Sequence, residues 1–306
     1  MHTSRKWKDR PPLRATRGAG IASAVLGSLL LVATGAAAAP SDDDAAALKR
    51  AAERGDRLYA LDQAAWVTTD EMLRKVPNPA ASGIKGWIVE EQGDRLHVIY
   101  YHPDGDSFKA TFIADARGRT VLDSHRLAPG EDASLTPLEI SMIRAREVAK
   151  RQSVAPCTAG AMNTVVLPPA SPADPIAVYI MSAQVKTGEY PLGGHHEFDI
   201  GPDGRIVASR KFTNSCLNLT PAAQSPDKTT MALMVTHLLD PTPTEIHVFM
   251  SRTIGLPIYV GTSISRSGSP MQKVWQVDGD QITLVRGGVE DPSADVPRGK
   301  STPAHF

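Results

Sequence analysis

The sequence predicts an α+β fold, with antiparallel β-meander sheets in two halves and an N-terminal helical segment and a central helix packed alongside. Helical periodicity concentrates around residues 41–66 and 136–150. Most of the rest reads as short alternating strands separated by Gly, Asp and Pro turns. Helices are thus segregated from runs of strands, which is the α+β pattern, and no repeat of solenoid or propeller length is present.

The first stretch reads as an export leader. Arg5, Lys6, Lys8, Arg10, Arg14 and Arg17 face a single acid, Asp9, and precede an uncharged apolar run that ends in Ala36–Ala39. A basic segment, an apolar core and a small-residue end have the layout of a signal peptide, here assigned to residues 1–38 with cleavage after Ala38. Retention as a membrane anchor is the alternative, and Ser4-Arg5-Lys6-Trp7 faintly resembles a twin-arginine signal. Its removal leaves 27 basic and 32 acidic residues out of 33 of each, a net charge of −5. A mildly acidic surface offers phosphates no attraction, so nucleic acid is not an expected partner.

Ser41 and Asp42–Asp44 cap a helix running to about Trp66, and Thr68 with Glu71 has capping-box spacing for a short second helix. Four strands of a meander follow between Gly86 and residue 126. Thr136, Pro137 and Glu139 then supply an N-cap, a first-turn proline and an N3 carboxylate for the central helix. Its Arg144, Arg146, Lys150 and Arg151 read as a solvated face.

A boundary near Gln152 divides segment 41–152 from a second strand-rich half, 153–285. That half offers strands at 163–167 and 176–183, then a hairpin across Gly201-Pro202-Asp203-Gly204. Residues 229–239 lean to helix, because Met231, Met234, Val235 and Leu238 fall at helical spacing. Strands at 245–251, 257–262, 272–277 and 281–285 complete an antiparallel set, and the Gly-, Pro- and charge-rich residues 286–306 read as a disordered tail.

Cys157 and Cys216 are the only cysteines. In an exported chain an even pair reads as a disulfide; two buried thiols, or a nucleophilic Cys216 served by His195 or His196, are the alternatives. The remaining polar candidates are His195 and Glu197, on one face of an expected strand, and Glu245 and His247, on one face of another. A metal would need a distant third ligand such as His237, and no Gly-x-Ser-x-Gly elbow, Ser-x-x-Lys pattern or phosphate loop is present. No metal, cofactor or catalytic residue is therefore assigned. Tyr100, Tyr101, Trp87 and Trp275 are read as packing residues rather than as a ligand groove.

The runs Gly193-Gly194-His195, Asp203-Gly204-Arg205 and Phe212-Thr213-Asn214-Ser215-Cys216-Leu217 resemble segments of uncharacterised exported proteins of Gram-negative bacteria. So do Gly86-Trp87-Ile88-Val89-Glu90 and Pro243-Thr244-Glu245-Ile246-His247-Val248-Phe249. The resemblance implies export and transfers no activity. The expected function is a non-enzymatic periplasmic or secreted module that binds an envelope component or a protein partner. The alternative is a hydrolase acting on cell-envelope material, using some of His195, Glu197, Cys216, Glu245 and His247.

Overall fold

The computed structural model describes residues 41–160, 162–222, 230–266 and 269–290; the expected leader, 1–38, lies outside them. Helix α1 (Asp42–Lys75) starts from a capping box in which Ser41 accepts from Asp44 N while Asp44 accepts from Ser41 N. Three acids in the first turn face the positive end of the helix dipole. The expected break before Thr68 does not occur. Thr68 is buried in mid-helix, where its hydroxyl donates to Ala64 O at 2.8 Å. A threonine satisfied on the preceding turn has no orphan amides to cap, so the Thr68–Glu71 spacing carries no helix start here.

Strands β1 (Gly86–Gln92), β2 (Arg95–Asp104), β3 (Ser107–Arg117) and β4 (Thr120–Arg126) form the expected meander, antiparallel and in sequential order. Helix α2 (Pro137–Lys150) follows, with Thr136 and Glu139 satisfying each other's amides. Arg146 does not sit on a solvated face. It is 6 % exposed, stacks near the Trp87 and Tyr101 rings and donates to Tyr101 Oη at 2.9 Å. A guanidinium stacked on aromatic rings can be buried where an ammonium could not.

The second half contains β5 (Asn163–Leu167), β6 (Ile176–Met181), β7 (Tyr190–Pro191), β8 (His196–Ile200), β9 (Ile206–Lys211) and β10 (Asn218–Leu219). Strands β5-β6-β8-β9 make one antiparallel sheet, and β7 pairs with β10. The expected hairpin across 201–204 joins β8 to β9. Every residue of β6 is buried. Its two faces serve two cores: Ala177, Tyr179 and Met181 join α1 and the meander, whereas Ile176, Val178 and Ile180 join α2 and the opposite face of the meander. Both cores draw on residues from either side of Gln152.

Three expectations for the C-terminal region are corrected. The helix expected at 229–239 is absent from the described residues 230–239, where β11 (Leu233–His237) is a strand; residue 229 lies outside the described residues. Residues 245–251 are not a strand, because Glu245–Ile254 is helix α3, started at Thr244 and stopped by Gly255 at φ 72°. Finally, the set β11, β12 (Ile258–Arg266), β13 (Ser269–Asp278) and β14 (Gln281–Glu290) is not wholly antiparallel, since β11 pairs in parallel with β12. The crossover explains all three, since parallel neighbours require a long connection and α3 provides it. Residues Glu245–Ser251 are all buried, and Ile246, Val248 and Met250 also alternate at strand spacing, which hides the helix in the sequence. Strand β14 also extends to Glu290 against β13, beyond the expected tail start at Arg286, while 291–306 lie outside the described residues.

Helix α1 crosses α3 at Gly55, where an added Cβ would lie 2.5 Å from Val248 Cβ. This close approach places Arg54 beside the first turn of α3.

Candidate functional site

The strongest concentration of buried polar groups lies where α1, β6, β8 and the start of α3 meet. Tyr179 comes from β6, Glu197 from β8, Glu245 from α3 and Arg54 from α1. Tyr179 is held between its strand neighbours, and its hydroxyl lies 3.0 Å from Glu197 Oε1 and 2.9 Å from Glu245 Oε1. Arg54 Nη1 reaches the same two oxygens at 2.7 and 3.9 Å. Both carboxyls are about 95 % buried. Asp199, on the same face of β8 as Glu197, adds a third acid within the electrostatic reach of Arg54.

Burial raises the carboxyl pKa of Glu197; the Arg54 charge opposes the shift and the Glu245 charge adds to it. Asp199 is raised for the same leading reason, and burial pushes the Tyr179 phenol far above its ordinary value. The single phenolic proton can be donated to only one of the two carboxylates at a time, and the Arg54 guanidinium lies against the same oxygens. A carboxyl raised by burial, as that of Glu197 is, holds its proton more readily, which is a property a general acid requires.

The histidines form a second, adjoining layer. His247 is two residues beyond Glu245, and at about 100° per helical residue the two side chains diverge instead of sharing a face. Glu245 turns to Tyr179; His247 turns back to cap its own helix, its Nδ1 accepting from Thr244 N at 3.0 Å. Its ring meets His237 edge-on at 4.8 Å, and His237 Nε2 contacts Asp240 Oδ2 at 2.8 Å. Arg210 donates to the same Asp240 oxygen at 3.1 Å and lies over Phe212, which stacks on Tyr179. The two layers are joined through that pair of rings.

His195 is almost fully buried just before β8. Its Nε2 donates to Pro191 O at 2.8 Å, while Nδ1 has no partner among the described residues. Burial lowers its pKa to about 4, and burial with the neighbouring His237 charge lowers that of His247 to about 3. Both imidazoles are neutral near pH 7. Among the described residues no group of three His, Cys, Asp or Glu side chains is arranged to hold a metal.

Cys157 and Cys216 are joined in a disulfide and leave no free cysteine, so a nucleophilic Cys216 is ruled out. The bond also explains the double glycine before His195. A Cβ at Gly194 would lie 2.9 Å from Cys157 Sγ, and one at Gly193 only 2.5 Å from Ser215 O. No larger residue fits between the crosslinked segments.

Thus the fold brings Glu197 and Glu245 together, sets His247 beside them and turns His195 to a backbone carbonyl. Arg54, Tyr179, Arg210 and Asp240 complete the cluster without a sequence signal of their own: Arg54, Tyr179 and Arg210 meet partners far along the chain, and Asp240 reaches His237 three residues back as well as the distant Arg210. Tyr100, Tyr101 and Trp275 are fully buried and form no groove. Two open cavities lie away from the cluster, one of about 620 Å³ beside His102 and Arg126 and one of about 320 Å³ beside Tyr59 and Arg119.

The molecule is therefore defined at the level of class, as a disulfide-linked α+β protein with a closed internal polar cluster. Compared with family models, curated proteins and solved structures, the chain matches none. A disulfide fits an oxidising compartment. Among the described residues no helix is long and apolar enough to cross a membrane.

Proposed function

We propose that the protein is an exported, non-enzymatic module that binds a component of the cell envelope. The observation that carries this reading is the closure of the one chemically suggestive cluster. Glu197 and Glu245 are spent on Tyr179 and Arg54, His247 on a helix cap and His195 on a carbonyl. The two open cavities are lined by other residues. Reactive groups that satisfy one another in the interior serve stability and specificity of the fold.

The raised carboxyl of Glu197, with Glu245 on the same Tyr179 hydroxyl, favours a second reading, a hydrolase acting on envelope polymers. Two carboxyls of unequal environment are what acid-assisted hydrolysis uses. One experiment separates the two readings. Wild-type protein, Glu197→Gln and Glu245→Gln are incubated with purified peptidoglycan and envelope polysaccharides, after circular dichroism has verified that each is folded. The binding module releases no soluble fragments in any of the three. Fragment release by wild type that disappears in a folded Glu197→Gln variant establishes the hydrolase instead.

A further inference from the structure

On the side of α1 away from the polar cluster, the turn between β3 and β4 and Arg252 of α3 enclose an open cavity of about 320 Å³. Asp56, Tyr59, Gln63, Arg119 and Arg252 contribute to its lining. We propose that this cavity binds a short saccharide carrying a carboxylate. The proposal rests on the binding reading above and gives it a ligand class.

Size comes first. Small-ligand clefts run from about 300 to 1,000 Å³, so this one is at the lower end and suits one or two sugar rings. Chemistry narrows the choice. A sugar hydroxyl donates and accepts at once, and the wall carries the Asp56–Arg252 ion pair, the Gln63 amide and the Arg119 guanidinium. Gln63 is only 8 % exposed and its amide contacts the neighbouring Asp62 carboxyl. No described residue hydrogen-bonds its amide oxygen, so a polar group entering the cavity would find an acceptor there.

Arg252 is held in place from two sides, by Asp56 at 2.7 Å and Asp280 at 3.0 Å. A fork fixed before the ligand arrives loses little entropy on binding. Arg119 is different. It makes no ion pair among the described residues and lies 5.0 Å from the centre of the Trp66 ring. Stacking on an indole keeps the guanidinium flat and presents its edge, the geometry that takes a carboxylate through two parallel bonds. Trp66 is 50 % exposed, an uncommon state for so large an apolar ring. Tyr59, in the lining, offers aromatic surface to the C–H face of a sugar, while Trp66 lies outside the lining and supports Arg119. The larger cavity, beside His102, lacks these features: its lining holds no aromatic ring besides histidine, His102 is bonded to Thr111 and Glu131 to His125.

The test is a titration of the full mature chain with glucuronic acid, digalacturonic acid and glucose, followed by isothermal calorimetry and by amide chemical shifts. Arg119→Gln and Trp66→Ala change exposed side chains and leave both cores intact. The acids should shift the amides of Tyr59, Gln63 and Gly118. Affinity should fall about tenfold or more in Arg119→Gln, and glucose should bind about tenfold more weakly than glucuronic acid. Three results would overturn the proposal: no shift at these amides at about 50 mM sugar, equal affinity for glucose and glucuronic acid, or equal affinity of wild type and Arg119→Gln. Co-sedimentation with purified peptidoglycan that Arg119→Gln does not weaken overturns the cavity and leaves the binding reading standing. Saccharide binding as described, together with Glu197-dependent release of fragments from polymer, upholds the cavity and removes the non-enzymatic reading.

Discussion

Tyr179 and Glu245 lie 66 residues apart in sequence, yet their side chains meet at 2.9 Å and fasten the second sheet to the first turn of α3. Because Glu197 contacts the same hydroxyl, removing it leaves two buried carboxyls with Arg54 alone between them. Tyr179→Phe is expected to destabilise the protein by about 1–3 kcal/mol in urea unfolding. A double-mutant cycle with Glu245→Gln should show coupling above about 0.5 kcal/mol. Additive effects would mean that the contact contributes nothing to the native state.

His195 and His247 make stability depend on pH. Their folded pKa values, about 4 and about 3, lie below the ordinary imidazole value near 6.5, so the unfolded chain takes up protons first as pH falls. Their contribution is complete above about pH 6.5 and is lost progressively below it, at up to about 1.4 kcal/mol per pH unit for each histidine. The raised carboxyls act in the opposite sense, so the slope is read by difference. Unfolding free energies measured from pH 7.5 to 5 should fall less steeply in His195→Gln than in wild type. Identical slopes would contradict a neutral, buried His195.

Asp62 on α1 has the reverse linkage. Its carboxyl is raised to about 6, with desolvation as the leading cause and the Gln63 amide opposing. The folded state therefore binds the proton more tightly between about pH 4 and 6, and the corresponding stabilisation disappears as pH rises through that window. At pH 7.5 the ionised group is a net cost. Asp62→Asn should raise stability by about 1–3 kcal/mol at pH 7.5 and by almost nothing at pH 4. A loss of stability at the higher pH would refute the assignment.

The crosslink between Cys157 and Cys216 closes a loop across a sequence separation of 59 residues. On the chain-entropy argument, the double variant Cys157→Ser/Cys216→Ser should be about 4 kcal/mol less stable than the oxidised protein. Reductant should impose a similar loss on wild type and none on the variant. Two titratable thiols in protein folded under oxidising conditions and purified without reductant would exclude the bond.

Local chemistry explains which elements were legible in the sequence. The Thr136-Pro137-Glu139 start of α2, the strand at 163–167 and the turn at 201–204 each carry their signal within a few neighbouring residues, and the structure has all three. The region around α3 fails that condition. Ile246, Val248 and Met250 fall at strand spacing and the first seven residues of α3 are all buried, although Thr244 before it and Gly255 after it were available as start and stop signals. Strand β11 was equally hidden, since its Met231–Leu238 surroundings satisfy helical spacing and only pairing with the distant β12 fixes its extended form.

The same division holds for the site. His195, Glu197, Glu245 and His247 stand out in the sequence as residue types, and the two cysteines stand out as a pair. The roles of the two glutamates depend on partners supplied from afar: Arg54 from the first helix and Tyr179 from the middle of a sheet. The amino-acid order by itself determined the fold class, most strands and the disulfide pairing, because periodicity, turn chemistry and cysteine count are local or compositional. Only the tertiary structure decided that the carboxyls share a hydroxyl and that His195 and His247 are neutral, since burial and distance between remote side chains set those properties.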